Sequence, residues 1–379
     1  MHKIFKAIVV LLFIVVSACQ TSQIDDGDGS GVPAAEISAV ETIGSGPNKV
    51  TLILHQSGPL AENNDPTDYK SGASLAVNDL GPQSISMSIF DAKSQPEMVG
   101  QIVRSEIKQK TQLIIIPGDG ASIRNAQKLS GGKVPIVTLG AHLASNNGVT
   151  YAFIPDGLTS IIEGVKKNVT SDKRKLALVI SSNQIPHAVD RIGKSVAKFA
   201  DLHVAIAFKP NENSDQIIRE NLTKLSESDV IVFASEDQKT VEIAGKISKS
   251  VKNANQKIII GRDDWNTQVS SQPLLSRARV ATLDTNDVDI IADRYNNKYA
   301  RPVNRSAALA YDLMSVTAGL VRSGNTSKIT KESLERNSGF RGTLGAFRFR
   351  ADGSVERLYR EARYSNGALV EIGAAPKRF

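Results

Sequence analysis

The chain has 379 residues, more than one hydrophobic core usually supports, so two domains are expected. Its apolar content of 41% and charged content of 22% are those of a folded globular protein and exclude a disordered or fibrous chain. The formal charge of +7 is dispersed over helix faces without a basic run, which argues against a nucleic-acid partner, and a single cysteine excludes a disulfide framework or a cysteine cluster for metal.

The chain begins with the three parts of an export signal: Lys3 and Lys6, an unbroken apolar run from Ala7 to Val16, and small residues before Cys19. An apolar run of about 10 residues is too short to cross a bilayer core, which needs about 20. Val16, Ser17, Ala18 and Cys19 resemble the bacterial lipobox, which implies a signal peptide over 1–18 and a diacylated Cys19 that anchors the protein to the lipid bilayer. An ordinary cleaved signal with a chance cysteine is the alternative. Gln20, where an Asp would signal inner-membrane retention, points to the outer membrane and a periplasm-facing body. Residues 19–48 then read as the lipidated cysteine and a flexible tether, rich in Gly, Ser, Asp and Pro.

In the body, short apolar runs alternate with helical stripes. The predicted strands are Val50–Leu54, Ile85–Phe90, Leu113–Ile116 and Val134–Thr138, then Leu176–Ile180, Val204–Phe208, Val230–Phe233 and Ile258–Ile260. Between them, Tyr69, Ala73, Ala76, Val77 and Leu80 repeat at helical spacing, as do Val99, Ile102, Val103 and Ile107, and Val189, Ile192 and Val196. Apolar strands joined by helical crossovers predict an α/β fold of parallel sheets covered on both faces, in two doubly wound, Rossmann-like lobes split near Tyr151 to Thr159. At the end, Phe347 and Phe349 alternate with Arg348 and Arg350, Asp352-Gly353 marks a turn, Val355 to Tyr364 reads as a strand, and Asn366-Gly367 marks a second turn. These signals predict a C-terminal antiparallel meander.

Ligands of open α/β sheets sit beyond the carboxyl ends of the strands. The loops there hold Gln56 to Leu60, with Ser57, then Gly118 to Ser122, then Gly140 to His142, and in the second lobe Ser235 to Asp237 and Gly261 to Trp265. The loop Gly118-Asp119-Gly120-Ala121-Ser122 either offers amides and a hydroxyl to an anion at a helix N-terminus or is a tight turn with a capping side chain. His142 either lines the cleft or is structural, and Trp265 either packs in a core or lines the cleft. No Gly-x-Ser-x-Gly elbow, no His-Glu-x-x-His and no free nucleophilic cysteine is present, so neither an enzyme nor a cofactor is expected.

Val50 to Leu60 followed by Gly72 to Asp79, Phe90 to Pro96, Ala307 to Leu320 with Ala310-Tyr311-Asp312, and Gly342 to Gly353 together resemble the type I periplasmic binding proteins of the Leu/Ile/Val-binding kind. The resemblance implies two lobes, 49–154 plus about 283–338 and 155–282 plus about 339–379, with a hinge and an inter-lobe cleft. It also implies a small polar, amino-acid-like solute held by Asp119, Gly120, Ala121, Ser122, Gly140 and His142 from one side and Asp263 from the other. Ser57 and Glu236 are further candidate contacts, although Glu236 stands where the family carries an aromatic residue. The implied function is a membrane-anchored solute-binding lipoprotein serving an ABC permease. A second reading rests on Gly345 to Arg357, which resembles the closing segment of lipoproteins that activate a peptidoglycan-synthesising penicillin-binding protein.

Overall fold

The computed structural model describes residues 37–62, 65–140, 143, 146–182, 188–323 and 329–379. Cys19, the export signal and His142 lie outside the described residues. Ser38–Phe379 form one compact unit.

The first sheet holds β1 (Glu41–Ile43), β2 (Asn48–Leu54), β3 (Ile85–Asp91), β4 (Leu113–Pro117), β5 (Ile136–Leu139) and β6 (Thr150–Ala152), in the order β1-β3-β2-β4-β5-β6. All neighbours are parallel except β1, which runs antiparallel to β3. The helices α1 (Pro66–Leu80), α2 (Pro96–Lys108) and α3 (Gly120–Ser130) connect these strands. Every residue of β4 is buried, as a strand covered on both faces requires. The expected tether ends early. Val40 and Glu41–Ile43 bond along β3 as an edge strand, so the folded body begins before Asn48.

From β6 the chain crosses to a second sheet through α4 (Gly157–Asn168), which packs on that sheet. Its parallel part is β7 (Lys175–Ser181), β8 (Asp201–Phe208), β9 (Val230–Phe233), β10 (Ile258–Ile260) and β11 (Arg279–Thr282), linked by α5 (Ala188–Val196), α6 (Ser214–Glu227), α7 (Gln238–Ser250) and α8 (Thr267–Ser270). A second crossing at 283–288 leads to α9 (Asp289–Tyr299), α10 (Arg305–Ser323) and α11 (Lys331–Leu334). These helices return to the first core, where Ala307, Leu313 and Met314 join Leu52, Val77 and Tyr151.

The closing segment is antiparallel, as expected, but it is divided between two sheets. Three strands, β12 (Phe340–Gly342), β13 (Gly345–Phe349) and β14 (Val355–Arg357), form a small antiparallel sheet of their own. Their residues Phe340, Phe347 and Phe349 pack in the first core, with Tyr151 edge-on to Phe349 at 5.2 Å and Phe153 edge-on to Phe347 at 5.4 Å. The stretch Val355 to Tyr364, expected as one strand, breaks at Leu358 and Tyr359. Beyond that third crossing, β15 (Arg360–Ser365) pairs antiparallel to β11 and β16 (Ala368–Glu371) antiparallel to β15, extending the second sheet. The 339–379 segment assigned to the second lobe is therefore shared between the two. The break follows from Arg357, a buried guanidinium held between the rings of Phe153 (4.7 Å) and Phe347 (4.9 Å), which binds this point of the chain to the first core. Asn366 (φ 52°) and Gly367 (φ 80°) are both left-handed, as a type I′ turn requires. After β16 the tail runs back to the small sheet, where Arg348 lies 4.3 Å over the ring of Phe379.

Candidate functional site

The carboxyl ends of β2 and β3 are organised by Asp91. Its carboxylate accepts from the Gln56 amide (2.9 Å), the Lys93 amide (2.8 Å) and the Ser57 hydroxyl (2.7 Å). Burial opposes ionisation of Asp91, but these bonds outweigh it and hold the carboxyl below its usual range. Ser94 completes the pair of loops by donating to the Ser57 carbonyl (2.7 Å) and accepting from the Leu60 amide (2.9 Å). Ser57 thus directs its hydroxyl proton into the protein. Sequence reasoning passed over Asp91 and Ser94 as site residues; the available signal was an Asp closing an apolar strand one residue before a turn.

The Asp119–Ser122 loop is a capped turn. Asp119 Oδ1 accepts from the Ser122 amide at 2.8 Å, the N-cap of α3. Its Oδ2 lies 3.1 Å from His55 Nε2, and the same nitrogen lies 3.3 Å from Ser122 Oγ. Burial works against the charge of Asp119, but the bonds from His55 and Ser122 outweigh it and hold the carboxyl down at about 2. Ser122 is 0% exposed, and its hydroxyl lies against His55 inside the protein. Gly120 is exposed and Ala121 half-buried, and they remain at the surface of the loop. Ser122, His55 and Asp119 do not form a proton relay. Both partners meet one ring nitrogen, whereas a relay needs them on opposite nitrogens with an accessible hydroxyl.

Gly140 has a packing reason. A Cβ there would lie 2.6 Å from Gly118 Cα, and a Cβ on Gly118 would lie 2.4 Å from the Leu139 carbonyl oxygen. The ends of β4 and β5 approach too closely for any side chain.

In the second lobe the acidic residues pair internally. Asp237 caps α7 through the Thr240 amide at 2.8 Å. Glu236 Oε2 lies 3.3 Å from Arg262 Nη2, and Arg262 binds Asp264 through Nε (2.7 Å) and Nη2 (2.6 Å). Although burial disfavours its charge, these acids raise the Arg262 guanidinium above its usual range. Asp263 is 2% exposed at its side chain and accepts from Thr282 Oγ1 (3.1 Å) and from Arg305 Nη1 (3.1 Å). Arg305 opens α10, which belongs to the first core, so this ion pair joins the two lobes. Trp265 packs in the second core, donating to the Ser235 carbonyl at 2.8 Å and stacking on Tyr364 at 5.5 Å. Of the two readings of Trp265, core packing is the one observed.

Two α/β sheets linked by three chain crossings make up the fold of the type I periplasmic binding proteins. Solved structures of that fold superpose on this chain. A putative branched-chain amino acid ABC transporter protein from Rhodospirillum rubrum matches with a TM-score of 0.71 and 13% identity, over 86% of this chain and 99% of its own. A branched-chain amino acid transporter protein from Rhodopseudomonas palustris matches with a TM-score of 0.67 and 12% identity, over 87% and 96%. The substrate-binding protein of a branched-chain amino acid transporter from Streptococcus pneumoniae, in complex with isoleucine, matches with a TM-score of 0.54 and 20% identity, over 87% and 99%. No family model and no curated protein matches the sequence. At these identities the likeness establishes the fold.

Proposed function

We propose that this chain is an exported, lipid-anchored solute-binding protein that holds a small polar, amino-acid-like ligand between its lobes for an ABC transporter. The observation that carries the reading is the fold itself, two α/β lobes linked by three crossings, shared along nearly the whole body with proteins described as transporter components. Among the strand-end residues, Lys93, Gly120, Glu236 and Asp264 are exposed and Ala121 and Arg262 half-buried, so these are the groups the reading leaves for a ligand. An amino acid would meet Asp263 only by displacing Arg305. Native mass spectrometry of the full-length protein in detergent, before and after unfolding and refolding with an amino-acid panel, tests this. A bound mass lost on unfolding and restored by one compound supports it; a protein that binds none of the panel overturns it. For the anchor, Cys19→Ser should release the protein from membranes, and fractionation of the parent chain should place it in the outer membrane.

One set of observations favours a second reading, activation of a penicillin-binding protein by direct contact. Asp119, Asp263 and Arg262 all find partners within the chain. A cleft satisfied in this way suits a scaffold. Specific capture of a penicillin-binding protein by a chain that binds no solute would select this reading.

A further inference from the structure

A partly open space near the end of β11 has no role in the reading above. A cavity of about 170 Å³ lies against the second crossing, walled mainly by Leu283, Val288, Val303, Ala308 and Leu344, with Thr282, Thr285 and Asn304 at its polar side. Among the described residues Arg305 is its one charged lining side chain. An apolar cavity of roughly 150 Å³ accommodates a benzene-sized guest, so the space suits a chain of about five carbons. The head group is set by Arg305. A guanidinium has donors and no acceptor, and its planar fork matches a carboxylate. Here only Nη1 is engaged, by Asp263, while Nε and Nη2 make no hydrogen bond among the described residues.

We propose that this cavity binds a short aliphatic monocarboxylate, its chain between Leu283, Val288, Val303, Ala308 and Leu344 and its carboxylate on the remaining N–H groups of Arg305. With Nη1 taken by Asp263, the remaining N–H groups of Arg305 leave donors for a single carboxylate, and the mainly apolar walls disfavour a sugar or a phosphate ester. The site lies at the crossing and stands independently of any cleft ligand. It is also coupled to the lobes. A second carboxylate on Arg305 competes with Asp263 and weakens the ion pair that joins them.

The chain's single tryptophan, Trp265, follows Asp263 by two positions and reports on that loop. The test is a fluorescence titration of the full-length protein in detergent with pentanoate, against 1-pentanol and acetate. Pentanoate should give a saturable change, with both comparison compounds weaker by roughly tenfold or more. Ala308→Leu, which fills the cavity, should abolish the response while cooperative melting persists. Should that variant not fold, Leu344→Ala, which enlarges the cavity, should shift preference from pentanoate to heptanoate. Arg305→Gln should lose binding and Arg305→Lys retain part of it. No saturable response to pentanoate, equal affinity for pentanol, or an unchanged titration in folded Ala308→Leu overturns the proposal.

Discussion

Asp312 offers the sharpest test of how the small sheet is held to the first core. It sits on α10 at 1% exposure and accepts three hydrogen bonds from the β12–β13 turn: the Thr343 amide (2.6 Å), the Thr343 hydroxyl (2.9 Å) and the Leu344 amide (3.1 Å). Asp312→Ala leaves two buried amides and a hydroxyl without an acceptor, each costing about 1–3 kcal/mol, so a loss of about 4 kcal/mol is expected. Burial raises the Asp312 carboxyl to about 6 against those bonds, which favour its charge. The folded state therefore binds this proton more tightly than the unfolded chain, whose carboxyl titrates near 3.8. The stabilisation from that proton is complete below about pH 4 and is lost as pH rises through about 6, a change of about 3 kcal/mol. Asp312→Asn cannot titrate, so the stability difference between the parent and this variant should shrink over that window. Urea denaturation at several pH values measures it. A pH-independent difference, or an Asp312→Ala loss under about 1 kcal/mol, would refute the reasoning.

Four further outcomes follow from the structure. Asp119 has the opposite sign: its carboxyl is held down at about 2, so its contribution is present above about pH 4 and disappears as pH falls toward 2, and Asp119→Asn should flatten acid unfolding in that range. Gly140→Ala should cost about 2 kcal/mol or more in denaturant titrations, because the new Cβ meets Gly118 Cα at 2.6 Å. Asp263→Asn weakens the ion pair from Arg305, so small-angle scattering should show an expanded or more variable body with little loss of thermal stability. Trp265→Ala should cost about 3–5 kcal/mol, since its ring fills the second core between Gly261 and Tyr364.

All eight parallel strands named from sequence appear in the structure: β4, β5 and β9, buried on both faces, are apolar throughout but for Thr138, whereas the edge strand β8 is visible by its alternation of buried and exposed positions. The closing segment was harder to read. A run such as Val355 to Tyr364 carries strand residues throughout, and nothing local says that Arg357 inserts between two phenylalanines and divides it. The site was legible as a set of loops but not as a set of contacts. An Asp at the start of a helix looks the same whether it caps the helix or faces a ligand, and Asp119, Asp156 and Asp237 all cap. The partner of Asp263, Arg305, lies far along the chain on a helix of the other lobe, a pairing that only the folded topology reveals.

The tail after β16 adds a restraint that the three backbone crossings do not supply. It leaves the edge of the second sheet and ends with Phe379 under Arg348 of the first lobe's small sheet. The segment from Gly373 to Phe379 is thus a leash with a fixed length of slack. Any parting of the lobes beyond what this segment spans would have to pull the ring from the guanidinium, at about 0.5–1 kcal/mol. A contact of that size does not lock the lobes, but it sets how far they part before the next step becomes harder.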